Sequence, residues 1–229
     1  MNTTFPPTAD PGLRDLTQGT FRALLQALAR PCSPQALPDF SGPCPLSREL
    51  AQAALTLCDH ETRVWLSPSL DDEETRRWLR FNTGMQLVPD SRRAHFLFCA
   101  TAAELPDLDA IDEGTALYPD RSATVLVGGM GFAPDKAGSL HLVGMGPGIR
   151  DKETLALCPG ETARNAARLA DAEAFCGFWQ ANHERCPMGF DLFFLGEGRV
   201  AGLPRSTALR PWTAEDMTDF ADKGDSQCM

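Results

Sequence analysis

The sequence predicts an α/β protein built around a mixed sheet. Helical and strand patterns alternate through the first half of the chain, which suits parallel strands joined by covering helices. "AHFLFCA" (94–100) is a continuous apolar run of the kind found in strands buried on both faces. Beyond residue 120, apolar runs follow one another with turn residues between them, which suits hairpin-connected strands.

Each element has a local cause. Residues 1–12 carry Pro6, Pro7 and Pro11 with few apolar anchors and are expected to be flexible. In "FRALLQALARPC", Phe21, Leu24, Leu25 and Leu28 fall at i, i+3, i+4 and i+7. That is one apolar helix face, and Pro31 stops the helix. Residues 31–45 are proline-rich and read as a loop. "LSRELAQAALTLCD" is a second helix with Ser47 as its N-cap. "TRVWLSP" is a strand ended by Pro68. "DDEETRRWLRFNTG" opens with acids, carries arginines later and ends at Gly84, as a helix dipole and a left-handed stop favour.

The later elements follow the same logic. "SATVLVGGM" and "SLHLVGM" read as two strands of a hairpin around a Gly/Pro/Asp loop. "ETARNAARLADAEAFCGFWQANHE" is a long helix. "FDLFFL", "GEG" and "RVAGLP" form a last hairpin. Residues 211–229, acidic and poor in aliphatics, read as a peripheral helix or tail. One globular domain is expected over 13–210.

Composition narrows function. The 229 residues are 43% hydrophobic and 23% charged, enough for one core without staples. A net charge of −10 argues against general nucleic-acid binding, because phosphate affinity comes from clustered cations. Any anionic ligand therefore needs a local basic pocket. The lysines are Lys136, Lys152 and Lys223; the remaining cations are arginines, whose planar fork suits carboxylate and phosphate. No signal-like segment and no apolar run near the roughly 20 residues of a membrane span is visible, so a cytoplasmic protein with no membrane partner is expected. The eight cysteines are scattered without a CxxC pair and read as reduced, mostly buried thiols.

Three stretches are candidates for chemistry. "HLVGMGPGIRDKETL" places Gly144, Gly146, Pro147 and Gly148 after an apolar run. Its G-x-G-x-G spacing misses the dinucleotide fingerprint, Pro147 removes a backbone donor, and no G-K-[ST] follows. A tight strand exit is the favoured reading. "GLPRSTALRP" offers Arg205, Ser206 and Thr207 at a strand end, groups that converge well on a phosphoryl oxygen, or that equally cap a loop or form a subunit contact. "TRRWLRFNTG" sets Arg76 and Arg80 on one helix face, near Thr83. Arg76 and Arg77 are expected to pair with the preceding acids or face solvent, and Arg80 is the pocket residue. Cys58 with His60, and Cys176, His183 and Cys186, lack the paired spacing of a metal site, so no metal is expected. No G-x-S-x-G elbow is present. His95 and His141 read as structural.

Several segments taken together resemble a known family. "FRALLQALARPC", "VWLS", "LRFNTG", "GTALYPDRSATVLV", "LVGMGPGI", "PMGFDLFFL" and "GLPRST" follow in the order of the PhnH family, a component of the bacterial carbon–phosphorus lyase core complex, over about residues 17 to 208. The resemblance implies a three-layer α/β/α sandwich similar to the fold of the pyridoxal-phosphate-dependent transferases, without the cofactor's site. It implies a homodimer that joins subunits G, I and J. It also implies a role, with G, I and the L component, in joining an alkylphosphonate to ATP. Adenine leaves, and a ribose 1-phosphonate 5-triphosphate forms. The carbon–phosphorus bond is broken later by the iron–sulfur subunit J, whose three-cysteine motif is absent here.

Within that frame, Arg205, Ser206 and Thr207, with Arg80 and Thr83 second, are the candidate anion-binding residues for an alkylphosphonate or an ATP-derived ligand. Gly144, Gly146, Pro147, Gly148, Pro187, Gly189 and Asp191 are structural motif positions. Asn82 stands where the family often has His. The rival reading is a stand-alone transferase working in a cleft between Arg80 and Arg205.

Overall fold

In the computed structural model, which describes residues 11–133, 139–159, 172–213 and 216, two sheets stack with helices around them. The larger sheet has seven strands in the order β1 (Gln35–Ala36), β10 (Arg199–Leu203), β9 (Asp191–Gly196), β5 (Thr124–Val127), β4 (Phe96–Cys99), β2 (Arg63–Leu66) and β3 (Gln86–Leu87). From β9 to β3 every pairing is parallel, and β10 runs antiparallel to both of its neighbours. The smaller sheet is antiparallel, in the order β11 (Ala208–Pro211), β7 (Leu140–Met145), β8 (Glu153–Pro159) and β6 (Met130–Gly131).

The larger sheet is the middle layer. Helices α1 (Pro11–Ala29), α2 (Arg48–Leu57) and α3 (Glu73–Thr83) cover one face; α4 (Ala172–His183) and the smaller sheet cover the other. Strand periodicity sorts the side chains. Phe98, Leu126, Phe193 and Leu195 point to the three-helix core, while Leu97, Cys99, Val125, Val127, Leu192 and Phe194 point to the opposite core. The expected mixed-sheet α/β architecture is therefore present, and its central parallel strands β4, β5 and β9 are buried on both faces, as their apolar runs require.

Local chemistry sets the helix ends. Ser47 Oγ accepts from the Leu50 amide, and Asp72 accepts from the amides of Glu74 and Thr75. Gly84 closes α3 at φ +76°, in the left-handed region.

Four sequence expectations change. "SATVLVGGM" and "SLHLVGM" do not form a hairpin: β5 lies in the larger sheet and β7 in the smaller one, because the chain leaves β5 at Gly128–Gly129 and enters the other layer at β6. The partner of β7 is β8, within "ETLALCP", a strand the sequence pattern did not single out. The buried face of α1 is not Phe21–Leu24–Leu25–Leu28 but Thr20, Ala23, Leu24 and Ala27, leaving Phe21 and Leu25 exposed. The cause is close approach: a Cβ on Gly202 of β10 would lie 2.7 Å from the Ala27 backbone, so only small side chains fit between helix and sheet. Within the 31–45 loop, Gln35–Ala36 pairs with the edge of β10.

Pro11 opens α1, and residues 1–10 lie outside the described residues. The long helix read from 161 is described from Ala172 onward. Of the acidic tail, 211–213 and 216 are described, and they bind back to the smaller sheet: Trp212 donates its backbone N–H to His141 O and stacks on the His141 ring at 5.3 Å. Asp216 is buried and takes Arg210, Lys152 and Thr213 as donors.

Candidate functional site

The "LPRST" segment is where the chain crosses between sheets. β10 ends at Leu203 in the larger sheet, the turn is closed by Thr207 N–H donating to Pro204 O at 2.8 Å, and β11 begins at Ala208 in the smaller one. Arg205 pins this crossover to the start of β9. Its Nε and Nη2 donate to the Asp191 carboxylate at 3.1 and 2.9 Å, its backbone N–H donates to the same carboxylate, and Nη1 donates to Pro119 O. The pair is 16% and 23% exposed at the side chains, a fork–fork geometry of the strong kind.

Around Arg205 lies a larger knot. Pro187 follows a cis peptide bond, and Gly189 sits at φ +102°, where a Cβ would meet Asn182 Oδ1 at 2.7 Å. The buried Asn182 side chain bonds both backbone groups of Phe190. His183 Nδ1 lies 2.8 Å from Arg205 O, and Arg185 reaches Asp109 and Glu113. Asn182, Glu113 and Arg185 were missed in the sequence, because their importance comes from partners more than 70 positions away or from backbone contacts without a motif.

The glycine stretch belongs to the same junction. Gly144 leaves room for Cys32 Sγ, 2.4 Å from where its Cβ would stand; Gly146 faces Ser206 O; Gly148, at φ +85°, faces Ala29 O. Ile149 N–H donates to Gly146 O, closing the turn after Pro147. These positions bring the end of α1 and the β10–β11 crossover close to the backbone of the turn that follows β7. Thr207 is fully buried, its carbonyl accepts from Trp179 Nε1 at 2.7 Å, and its hydroxyl has no hydrogen-bond partner among the described residues. Ser206 is half-buried beside it.

Arg80 lies elsewhere. It is exposed on α3, on the other side of the larger sheet, and lines a groove of about 210 Å³ at the carboxyl ends of β2 and β3. Arg205 sits at the amino end of β9. The two arginines therefore stand at opposite strand ends and on opposite faces, and do not share a cleft. Thr83 is turned to its own helix: its hydroxyl donates to Leu79 O and accepts from Met85 N–H. Asn82 Nδ2 likewise donates to Trp78 O.

Burial pushes the Cys32 and Cys58 thiols up to about 12 and Cys176 to about 11, away from nucleophilic thiolate. Burial, then the nearby Arg63 cation, lowers His95, whose Nδ1 accepts from Arg63 N–H. Lys152 Nζ lies 2.9 Å from Asp216. Among the described residues, no three His, Cys, Asp or Glu side chains converge as metal ligands would. No described helix is long and apolar enough to cross a membrane.

Residues 12–210 match the family described as bacterial phosphonate metabolism protein (PhnH). The chain belongs to the PhnH family. A relative from Rhizobium meliloti (strain 1021), the alpha-D-ribose 1-methylphosphonate 5-triphosphate synthase subunit PhnH, is 36% identical over 197 residues, covering 84% of this chain and 89% of the relative. The PhnH match thus spans both sheets, the glycine junction and the arginine knot.

Proposed function

We propose that this chain is a non-cleaving subunit of the assembly that joins an alkylphosphonate to ATP with loss of adenine, yielding a ribose 1-phosphonate 5-triphosphate. It works in the cytoplasm in phosphonate catabolism, without pyridoxal phosphate, as a homodimer that joins subunits G, I and J. The observation that carries this reading is the match to a synthase subunit along nearly the whole domain. The geometry supports a structural part in that assembly. Arg205 of the LPRST motif is engaged within the fold, while Phe21, Leu25, Leu117 and Tyr118 remain exposed as large apolar groups that a partner surface would cover. The stand-alone reading required one cleft with both Arg80 and Arg205, and these are apart.

The test is assembly. Co-expressed with subunits G, I and J, the chain is expected to elute in a complex whose light-scattering mass exceeds that of its own dimer. A chain that ignores those partners, or that alone releases adenine from ATP and methylphosphonate, would defeat the proposal.

A further inference from the structure

We infer that the groove beside Arg80 binds a small organic oxyanion of the alkylphosphonate class. The inference takes the organic half of that ligand from the proposed function; the oxyanion half stands on the groove itself.

Position comes first. In open α/β sheets, ligands sit outside the carboxyl ends of the strands. The groove is lined at that end of the sheet, by Leu66 at the end of β2 and by Leu87, Val88 and Pro89 at and just beyond the edge strand β3.

Charge comes second. Arg76 and Arg80 are one helical turn apart on the same face of α3, and both line the groove with Asp71. Helical side chains lean toward the helix amino end, which carries the Arg80 guanidinium toward the carboxyl ends of the strands. Asp71 is already matched: Arg76 Nε and Nη2 each donate to it at 2.6 Å. Arg80 has no ion pair or side-chain hydrogen bond among the described residues. The lining therefore carries one surplus positive charge on a chain whose net charge is −10. A free guanidinium fork recognises a phosphonate, phosphate or carboxylate through paired donors.

Size comes third. At about 210 Å³ the groove is smaller than the roughly 300–1,000 Å³ of drug-sized sites. It admits a short alkylphosphonate and is too small to enclose a nucleoside triphosphate. Leu66, Leu87, Val88 and Pro89 form an apolar wall for the alkyl group.

The test titrates the full chain separately with methylphosphonate, ethylphosphonate and inorganic phosphate, by calorimetry. Saturable methylphosphonate binding is expected. Arg80→Gln should weaken it at least tenfold, Arg80→Lys less, and Arg77→Gln, an exposed neighbour outside the groove lining, not at all. Ethylphosphonate should bind roughly fourfold more tightly than methylphosphonate, from one added buried methylene. Absence of saturable binding, or equal affinity in Arg80→Gln, overturns the site. Inorganic phosphate binding as tightly as both alkylphosphonates overturns the organic assignment. Assembly with the partner subunits is measured on the same samples. Lost binding with intact assembly counts against the groove alone, and lost wild-type assembly counts against the subunit reading alone.

Discussion

Arg205 holds each of its guanidinium nitrogens on a protein acceptor, Asp191 at the amino end of β9 or Pro119 O, whereas Arg80 leans from α3 into an open groove with no side-chain acceptor among the described residues. The contrast separates two uses of an arginine. One serves the fold: Arg205 ties the sheet-to-sheet crossover to Asp191 and to the loop at Pro119. The other leaves the guanidinium for something outside the chain. The two are told apart by whether the donors are already satisfied, which depends on groups distant in sequence.

The largest expected effect breaks the satisfied site. Arg205→Gln leaves the Asp191 carboxylate partly buried and without its fork, and should destabilise the protein by about 3 kcal/mol, read as a lower urea midpoint. Asp191→Asn should act similarly, and the double variant should fall short of the sum because both single changes remove one shared contact. Methylphosphonate binding at Arg80 should survive in whatever fraction stays folded. An unchanged urea midpoint in Arg205→Gln would mean that the knot does not hold the crossover.

The glycine junction sharpens the comparison on backbone rather than charge. Gly148→Ala puts a Cβ 2.5 Å from Ala29 O and 2.9 Å from Pro31 Cδ, at φ +85°. Neither neighbour is a flexible side-chain end, so the change should cost about 2 kcal/mol or more. Gly198→Ala, at φ +68° with nothing within 4 Å, should cost only about 1 kcal/mol of backbone strain. Equal losses in thermal melts would show that the dihedral, and not the packing of α1 against β7, sets the need for glycine at 148.

What was legible in the sequence follows the range of the interaction. Ser47 and Gly84 were legible because a cap acts within a few residues. The central strands β4, β5 and β9 were legible as apolar runs, since burial on both faces erases alternation, whereas the two-residue edge strands β1 and β3 carry no such run. The face of α1 was misjudged because the selecting contact is Gly202 against the Ala27 backbone, far away in sequence. The β5–β7 hairpin was misjudged because adjacency in sequence does not reveal a change of layer. β8 did carry a signal, with Leu155 and Leu157 buried in alternation, which the preceding glycine turn masked. For the sites, the sequence offered Arg205 and Arg80 alike as anion-binding candidates, and could not tell that the donors of Arg205 are taken by Asp191 and Pro119. The groove around Arg80 draws Leu66, Val88 and Pro89 from strand ends that only the parallel pairing of β2 and β3 brings together.

The smallest expected effect is a change of slope at a third cluster, where cations are again satisfied inside the chain. Asp216 accepts from Arg210, from Thr213 and from Lys152, in that order of influence, and these hold its carboxyl well below the ordinary carboxylate range. An unfolded chain titrates this group near about 3.9. Because the folded value is the lower one, its contribution is fully present above about pH 4 and is lost as pH falls further toward the folded value. Asp216→Asn should therefore be less stable than the wild type at pH 7, and the gap should narrow between about pH 4 and pH 2. Urea midpoints across that range give the answer. A gap that stays constant to pH 2 would mean that shape and hydrogen bonding, rather than the carboxylate charge, hold residues 211–213 and Asp216 against the smaller sheet.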